Sequence, residues 1–211
     1  MSTKKKMILG AVFYENFELL DMYGPLEMFG ILNEIKIVTV AEKAGPVKST
    51  QGPKTIADFS FDDCPPLDLI LVPGGIGTLA ELKNEQMLEF LRNRSQTARY
   101  TMSVCTGSAL LAKAGLLDGR RATSNKLYFD MAVSQSDQVE WVAEARWVED
   151  GPFVTASGVS AGTDMALGIV SNLFGRERAD WAAMVSEYEW NDDASHDPFV
   201  KYLNKGSDLG G

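Results

Sequence analysis

Short, almost wholly apolar runs alternate with longer amphipathic stretches along the first half of this 211-residue chain. Runs of this length are typical of parallel strands that are buried on both faces. The stretches between them carry apolar residues at helical spacing, as in Met87, Leu88 and Leu91 after the capping residue Asn84. The pattern therefore predicts an α/β fold in which helices cover both faces of a central, mostly parallel sheet. The four predicted strands span residues 7–13, 35–40, 67–72 and 100–104.

Turn-forming residues divide the remaining chain into smaller elements. Residues 45–62 combine Gly45-Pro46 and Gly52-Pro53 with short alternating pieces, which predicts small antiparallel strands at an edge of the sheet. Three further short strands are predicted, at residues 139–142, 146–148 and 153–156.

Three helices are expected in the second half of the chain. The first spans residues 108–117 and closes at Asp118-Gly119, and the second is capped by Ser160. The third carries Trp181 and Tyr188 on one face, and we expect both rings in the core. No repeat or linker interrupts the chain, so a single domain is predicted for residues 1–211, ending in a polar tail at 191–211.

Composition excludes several classes of function. The net charge of −9 disfavours nucleic acid and anionic membranes as partners, because both require clustered Lys and Arg. No segment approaches the ~18–20 apolar residues of a membrane span, and the N-terminus does not have the pattern of a signal peptide. Two cysteines form no disulfide framework, so a reducing, cytoplasmic setting is expected. With one histidine and two separated cysteines, no metal site and no cofactor are expected.

Cys105 is the principal candidate for chemistry. It lies between a predicted strand and a helix in the run Ser103-Val104-Cys105-Thr106-Gly107-Ser108, whose small residues permit a tight elbow that exposes the nucleophile. A helix N-terminus just after the sulfur would favour the thiolate, and the amides of the elbow could receive developing negative charge. The alternative is an inert, buried cysteine, a common fate of free thiols.

Two other features fall at the same predicted edge of the sheet. Gly74-Gly75 follows a strand, where it forms either a turn or one half of an oxyanion hole facing Cys105. Glu18 and Asp21 are three residues apart at the start of the first helix and share a face. Such carboxylates commonly complement the helix dipole, but beside Cys105 they could exchange protons with the sulfur or a substrate.

Several of these motifs, in this order, resemble the ThiJ/PfpI superfamily of class I glutamine-amidotransferase-like folds. The resemblance runs from Met7 to about Phe199 and implies a flavodoxin-like three-layer sandwich and a homodimer. It is carried by Glu15-Asn16-Phe17-Glu18-Leu19-Leu20-Asp21, Gly24-Pro25, Val72-Pro73-Gly74-Gly75-Ile76-Gly77, the Cys105 elbow, residues 114–123 and Ser160-Ala161-Gly162-Thr163-Asp164.

Within the superfamily, the elbow and the Leu-Asp-x-x-Gly-Pro motif are similar to those of isonitrile hydratases. This resemblance implies that Cys105 attacks the terminal carbon of an isocyanide, that Asp21 moves protons, and that Thr106 and Gly75 donate amides. Gly74, Ile76 and Asn125 would line the pocket for a small-molecule substrate. Asn125 stands near the position where many members have histidine, so a Cys–His dyad is not expected.

The sequence leaves other functions open. Glu18 matches the glutamate that hydrogen-bonds the reactive cysteine in much of the superfamily, which implies glyoxalase- or deglycase-like action on small α-oxoaldehydes. A third interpretation is a redox sensor or stress protein, because an activated cysteine is readily oxidised to sulfinate. A regulator-type sensory domain is disfavoured, since no DNA-binding helical region follows the last predicted helix.

Overall fold

A computed structural model describes residues 5–206. Its strands are β1 (Met7–Val12), β2 (Ile35–Ala41), β3 (Gly45–Lys48), β4 (Lys54–Ala57), β5 (Phe59–Ser60), β6 (Leu69–Val72), β7 (Tyr100–Val104), β8 (Arg121–Ala122), β9 (Glu140–Trp141), β10 (Trp147–Asp150) and β11 (Phe153–Ala156).

Seven of these strands form one sheet in the order β10-β11-β7-β6-β1-β2-β5. The pairs in this sheet are parallel except for β10, which runs antiparallel to β11. This confirms the prediction of a mostly parallel sheet.

Two groups of helices cover the sheet and complete the three-layer α/β sandwich. The helices are α1 (Leu19–Gly30), α2 (Thr78–Glu81), α3 (Glu85–Ser95), α4 (Gly107–Lys113), α5 (Phe129–Val133), α6 (Ala161–Phe174) and α7 (Arg176–Val185), followed by a 3-10 turn at Val200–Tyr202. In the first group, α6 packs against α1 and α7; in the second, α4 packs against α2, α3 and α5. Within residues 5–206, no helix has both the length and the apolarity needed to cross a bilayer.

Burial of the strands explains why the apolar runs form the sheet centre. All four residues of β6 are buried, and β7 is buried from its second residue onward. Both strands end at the same edge, because β6 and β7 are parallel and Val72 pairs with Ser103. The segments that follow them, beginning at Pro73 and Cys105, are therefore brought together.

The predicted antiparallel edge is partly separate from the main sheet. β3 and β4 form an antiparallel two-stranded sheet of their own, whereas β5 extends the main sheet parallel to β2. Asn84 caps α3 as predicted, since its side-chain oxygen accepts from the backbone N–H groups of Gln86 and Met87.

Three details of the helix predictions were wrong. α4 ends at Lys113 rather than at residue 117, because Gly115 turns the chain with φ +75°. Ser160 precedes α6 but makes no side-chain capping bond. On α7 the Trp181 side chain is 37% exposed and Met184 is 66% exposed, so this amphipathic face does not pack into the core. Tyr188 lies beyond the end of α7, and its partly buried ring packs against the core.

Candidate active site

Cys105 forms a strained elbow between β7 and α4. Its φ of +57° is a left-handed conformation that non-glycine residues adopt at an energetic cost and only where the surroundings enforce it. Here its N–H donates to the carbonyls of Ala156 and Ser157, at 3.2 and 2.7 Å. Its own carbonyl accepts from the hydroxyls of Ser108 and Ser124, each at 3.2 Å. The backbone on both sides of the reactive residue is therefore fixed.

Two glycines allow the loop after β6 to contact this elbow closely. A Cβ on Gly74 would lie 2.5 Å from the amide nitrogen of Thr106 and 2.9 Å from the Cβ of Cys105. A Cβ on Gly107 would lie 2.6 Å from the carbonyl oxygen of Pro73. Because neither backbone contact can yield cheaply, glycine is required at both positions.

Asp21 lies beneath the elbow as a fully buried carboxyl in the first turn of α1. Its Oδ2 accepts the Gly74 N–H at 2.8 Å. Its Oδ1 has no hydrogen-bond partner of normal geometry among the described residues, although the thiol of Cys105 lies close enough to lower the Asp21 pKa as a donor. Burial outweighs both contacts and raises the pKa of Asp21 to about 8. At neutral pH this carboxyl therefore holds a proton.

Cys105 is also buried, so the predicted exposure of the nucleophile at the elbow was wrong. The residue is 6% exposed, and burial followed by the charge of Asp21 raises the pKa of the thiol well above its ordinary value. The Thr106 N–H and the Asn125 side-chain amide oppose this shift as hydrogen-bond donors to the sulfur. The predicted lowering of the thiol pKa was wrong because desolvation exceeds the effect of the short α4, which has only seven residues.

Glu18 is near this pair without sharing its hydrogen bonds. It is partly exposed, and its carboxylate accepts from the side-chain amide of Gln51 at 2.7 Å. Its backbone N–H donates to the Gly74 carbonyl at 2.8 Å. Its charge raises the pKa of both Asp21 and Cys105. Of the two carboxyls predicted as candidates, Asp21 is the one in direct contact with the sulfur.

The predicted amide donor Gly75 is already engaged in this structure. Its N–H donates to the hydroxyl of Thr106 at 3.1 Å, and that hydroxyl also shares a hydrogen bond with Thr78 at 2.9 Å. Gly75 has a φ of +121°, and a Cβ there would lie 2.5 Å from the Glu18 nitrogen. Its structural role is thus the close contact between two loops. Ile76, expected in the pocket, is largely exposed.

Asn125 lies on the other side of the sulfur. Its Oδ1 accepts the backbone N–H groups of Leu127 and Tyr128 at 2.9 and 3.2 Å, which fixes the side chain. Its amide is then left facing Cys105, where it lowers the thiol pKa. The chain's only histidine, His196, is exposed and makes none of the hydrogen bonds of the described site.

Some residues around the site were not identified from the sequence. Ser124 and Ser157 hold the elbow through single hydrogen bonds, and no local pattern distinguishes them from other serines. Lys126 is buried although its side chain ends in an ammonium group. Its burial depends on a contact with Ala145, which only the folded chain brings close. Residues 5–206 contain no cluster of three or more His, Cys, Asp or Glu side chains that could hold a metal ion.

Comparisons with known proteins place these features in context. The DJ-1/PfpI family model matches residues 6–172. The chain is 36% identical to an isonitrile hydratase from Pseudomonas putida, over 85% of this chain and 78% of that protein. It is 28% identical to a deglycase from Pyrococcus abyssi, over 71% of this chain and 87% of the relative. The crystal structure of a ThiJ/PfpI family protein from Pseudomonas syringae superposes with a TM-score of 0.80 at 35% identity, covering 89% of this chain and 77% of that one.

Proposed function

The chain belongs to the DJ-1/PfpI family, and we propose that it is a cofactor-free, cysteine-dependent hydratase that converts small isocyanides to N-substituted formamides. The relative from Pseudomonas putida, named as an isonitrile hydratase, supports this assignment. The observation that carries the proposal is the contact between Cys105 and Asp21, a buried acid whose pKa of about 8 keeps it protonated at neutral pH.

The reaction needs both a nucleophile and a proton source at one carbon. The sulfur of Cys105 forms a bond to the terminal carbon of R–N≡C while a proton reaches the same carbon, giving the thioimidate R–N=CH–S. In this step the thiol proton is consumed, either directly or through the carboxyl of Asp21. An acid with a pKa near the working pH suits this exchange, because it can both give and regain a proton.

Water then completes the reaction. It adds across the C=N bond, with its oxygen on carbon and a proton on nitrogen, and Asp21 carries protons between them. The C–S bond breaks, the product R–NH–CHO leaves, and the sulfur regains its proton. The Thr106 N–H and the Asn125 amide both lower the pKa of the Cys105 thiol, so they stabilise the negative charge as sulfur departs.

The charge state of the site also supports this substrate class. An isocyanide is uncharged, and a protonated carboxyl beside a protonated thiol forms an uncharged reaction centre. Because the substrate carries no charge, moving it from water into this buried site does not incur the large cost of desolvating an ion.

The direct test is to incubate the protein with cyclohexyl isocyanide and follow the formamide proton by NMR. We expect turnover that is lost in Cys105→Ala and in Asp21→Asn, and largely kept in Glu18→Gln. Wild-type protein that makes no formamide, or an Asp21→Asn variant that is fully active, would contradict the proposal.

A second candidate function is deglycase- or glyoxalase-like action on small α-oxoaldehydes. The deglycase relative and the charge of Glu18 close to Cys105 favour it. Incubation with methylglyoxal distinguishes it: lactate production that is lost in Glu18→Gln would support this function over the hydratase.

A redox-sensing role has less support from the site. Peroxide reacts with exposed thiolates, whereas Cys105 is buried and its pKa is raised. A mass gain of two oxygens confined to Cys105 under mild peroxide, without turnover of either substrate, would favour the sensor over both enzymes.

We further propose that the protein is a homodimer in the cytoplasm. Exposed apolar side chains on α1 (Leu20 and Tyr23) and on α7 (Met184 and Val185) are candidates for the dimer contact. Both cysteines, Cys64 and Cys105, are free, as expected in a reducing compartment. Light scattering during gel filtration gives the oligomeric state directly.

A further inference from the structure

The segment after α7 crosses back over the active-site edge of the sheet. We call residues 191–206 the C-terminal strap; they lie beyond the span matched by the family model. The Asn204 N–H donates to the Lys126 carbonyl at 2.8 Å, and the Gly206 N–H donates to the Leu127 carbonyl at 3.1 Å. These two carbonyls belong to the turn that Asn125 holds, next to Cys105. The strap is therefore attached to the wall of the catalytic site.

A buried ion pair fixes the beginning of the strap. The guanidinium of Arg146 donates to Asp164 Oδ2, with its Nε at 2.7 Å. The other oxygen of Asp164 accepts the Tyr188 hydroxyl and the Asn191 N–H, both at 3.0 Å. The Arg146 N–H in turn donates to the carbonyl of Ala194 at 2.9 Å.

One residue in the middle of the strap is buried, although its neighbours in the sequence are exposed. Asp197 is inaccessible to solvent, and its N–H donates to the Glu144 carbonyl at 2.7 Å. The ammonium of Lys126 donates to the carbonyl of Ala145 at 2.7 Å and to the Thr123 hydroxyl at 2.9 Å. Both acceptors lie outside the strap, which is attached to this part of the chain by the backbone N–H groups of Asp197, Asn204 and Gly206.

A cavity of about 230 Å³ lies between the strap and the active-site wall. The strap contributes Asp197, Phe199 and Tyr202, and the wall contributes Asn125, Leu127 and Ser157. This volume is below the ~300–1,000 Å³ of pockets for drug-sized ligands, so the cavity suits a small group.

Ser157 brings to the wall of the cavity a fully buried side-chain hydroxyl that has no hydrogen-bond partner within residues 5–206. The residue is 1% exposed, and its Oγ has no hydrogen-bond partner among the described residues. A buried hydroxyl without a partner is costly, and a ligand atom can remove that cost. The carbonyl of the same residue accepts the Cys105 N–H at 2.7 Å, which connects the cavity to the elbow.

We propose that this cavity is the subsite that selects the substituent R of the substrate, accepting a small apolar group that bears one hydrogen-bonding atom for Ser157. Phe199 and Tyr202 contact the apolar part, and Asn125 joins the subsite to the reactive sulfur. The assignment rests on the proposed hydratase function, and the strap lies outside the span that the family model matches.

Kinetics on a matched set of isocyanides tests the subsite. Phe199 is 53% exposed, so Phe199→Ala is expected to fold. We expect this variant to lower kcat/KM for cyclohexyl isocyanide by about tenfold or more, mainly through KM, while ethyl isocyanide changes by no more than about twofold. Phe199→Leu should recover most of the loss. Ile56→Ala, which removes an exposed side chain on β4, is the control and should leave both rates unchanged.

A second pair of substrates tests the hydroxyl. Methoxypropyl and pentyl isocyanide differ by an oxygen in place of a methylene group. Ser157→Ala should reduce the preference for the methoxy compound by about three- to tenfold, the range of one neutral hydrogen bond. An unchanged preference would overturn the role of Ser157, and equal losses for ethyl and cyclohexyl isocyanide in Phe199→Ala would overturn that of the strap.

A binding measurement separates the subsite from the proposed reaction. Calorimetry with N-cyclohexylformamide and the inactive Cys105→Ala protein requires no turnover. We expect binding that weakens about tenfold when Phe199→Ala is added. If wild-type protein converts none of the isocyanides, the proposed function fails, and this measurement alone decides the subsite: no binding, or binding indifferent to Phe199→Ala, overturns it.

Discussion

The elbow and the C-terminal strap meet at one edge of the sheet but are built in different ways. At the elbow, backbone contacts through Gly74 and Gly107 bring loops together so closely that no side chain fits between them. At the strap, side chains enclose a cavity, and a buried ion pair holds the segment in place. The elbow lies within the matched family span, and the strap lies outside it. Rigid backbone geometry thus holds the elbow, whereas the proposed subsite depends on a peripheral segment that side-chain contacts keep in place.

Removing the acid at the elbow should have the largest effect on activity. Asp21→Asn keeps the shape of the side chain but cannot exchange protons, so we expect kcat to fall by about 10²–10⁴-fold. The free energy of unfolding should stay unchanged or rise, because the buried oxygen without a normal partner is no longer part of an ionisable group. Formamide kinetics and urea denaturation of the same preparation test both parts. A variant that loses stability along with activity would contradict a mainly catalytic role.

Breaking the ion pair that holds the strap should lower stability strongly and leave the rate of the reaction largely unchanged, the opposite of Asp21→Asn. Asp164→Asn leaves the guanidinium of Arg146 buried without a counterion, which should reduce the free energy of unfolding by about 3 kcal/mol or more. The selectivity for cyclohexyl over ethyl isocyanide should fall, whereas the rate with ethyl isocyanide should change little. Tyr188→Phe is the matched control, since it removes one hydrogen bond to the same carboxylate and should cost about 1 kcal/mol. Equal effects of the two variants would argue against the ion pair as the main tether.

Filling the space between the two loops should disturb the elbow specifically. Gly74→Ala places a methyl group 2.5 Å from the Thr106 nitrogen, so we expect destabilisation by about 1–3 kcal/mol and a fall in kcat for every isocyanide alike. Gly30→Ala is the control, because a Cβ there meets only the tip of Ile37, at 3.4 Å. Thermal unfolding and kcat for a small and a large isocyanide, measured on both variants, test this prediction. A loss of kcat confined to the large substrate would contradict a role of Gly74 in backbone packing.

The pH dependence of kcat/KM and of the free energy of unfolding should follow the protonation of Asp21 at the elbow. With the pKa of Asp21 raised to about 8, kcat/KM should fall by about tenfold per pH unit above that value as the acid loses its proton. The folded protein holds this proton between about pH 4 and 8, whereas the unfolded chain does not, so the free energy of unfolding should decrease as pH rises through that window. Asp21→Asn should remove that part of the slope, and Glu18→Gln should keep it. A wild-type rate that is constant up to pH 10 would exclude Asp21 as the acid.

The elbow and the strap differ in how far their sequences predict their structures. The elbow was predictable because its signals are local: an apolar strand, small residues around Cys105, and a carboxylate in the first turn of α1. The protonation states of Asp21 and Cys105 could not be predicted in the same way, because their burial depends on loops from three distant parts of the chain. Helix-dipole reasoning gave the wrong direction for the thiol pKa.

The strap could not be predicted from its residues. Its polar composition is typical of a solvated tail, yet Asp197 is buried by contacts with residues more than fifty positions earlier. The opposite error occurred on α7, where helical periodicity indicated a core face but Trp181 and Met184 remain exposed. In both cases the long-range packing, and not the local pattern, determines which side chains reach solvent.

The position of Gly206 has a practical consequence for work with this protein. It packs against the ring of Tyr128, where even a Cβ would lie 2.4 Å from a ring carbon, and its N–H is bonded to the turn beside Asn125. A larger residue or an insertion at this position would push the turn away from the ring. Spectroscopic labels and insertions therefore belong elsewhere on the surface, and substrate profiles of any protein altered at Gly206 should be compared with those of the unaltered chain.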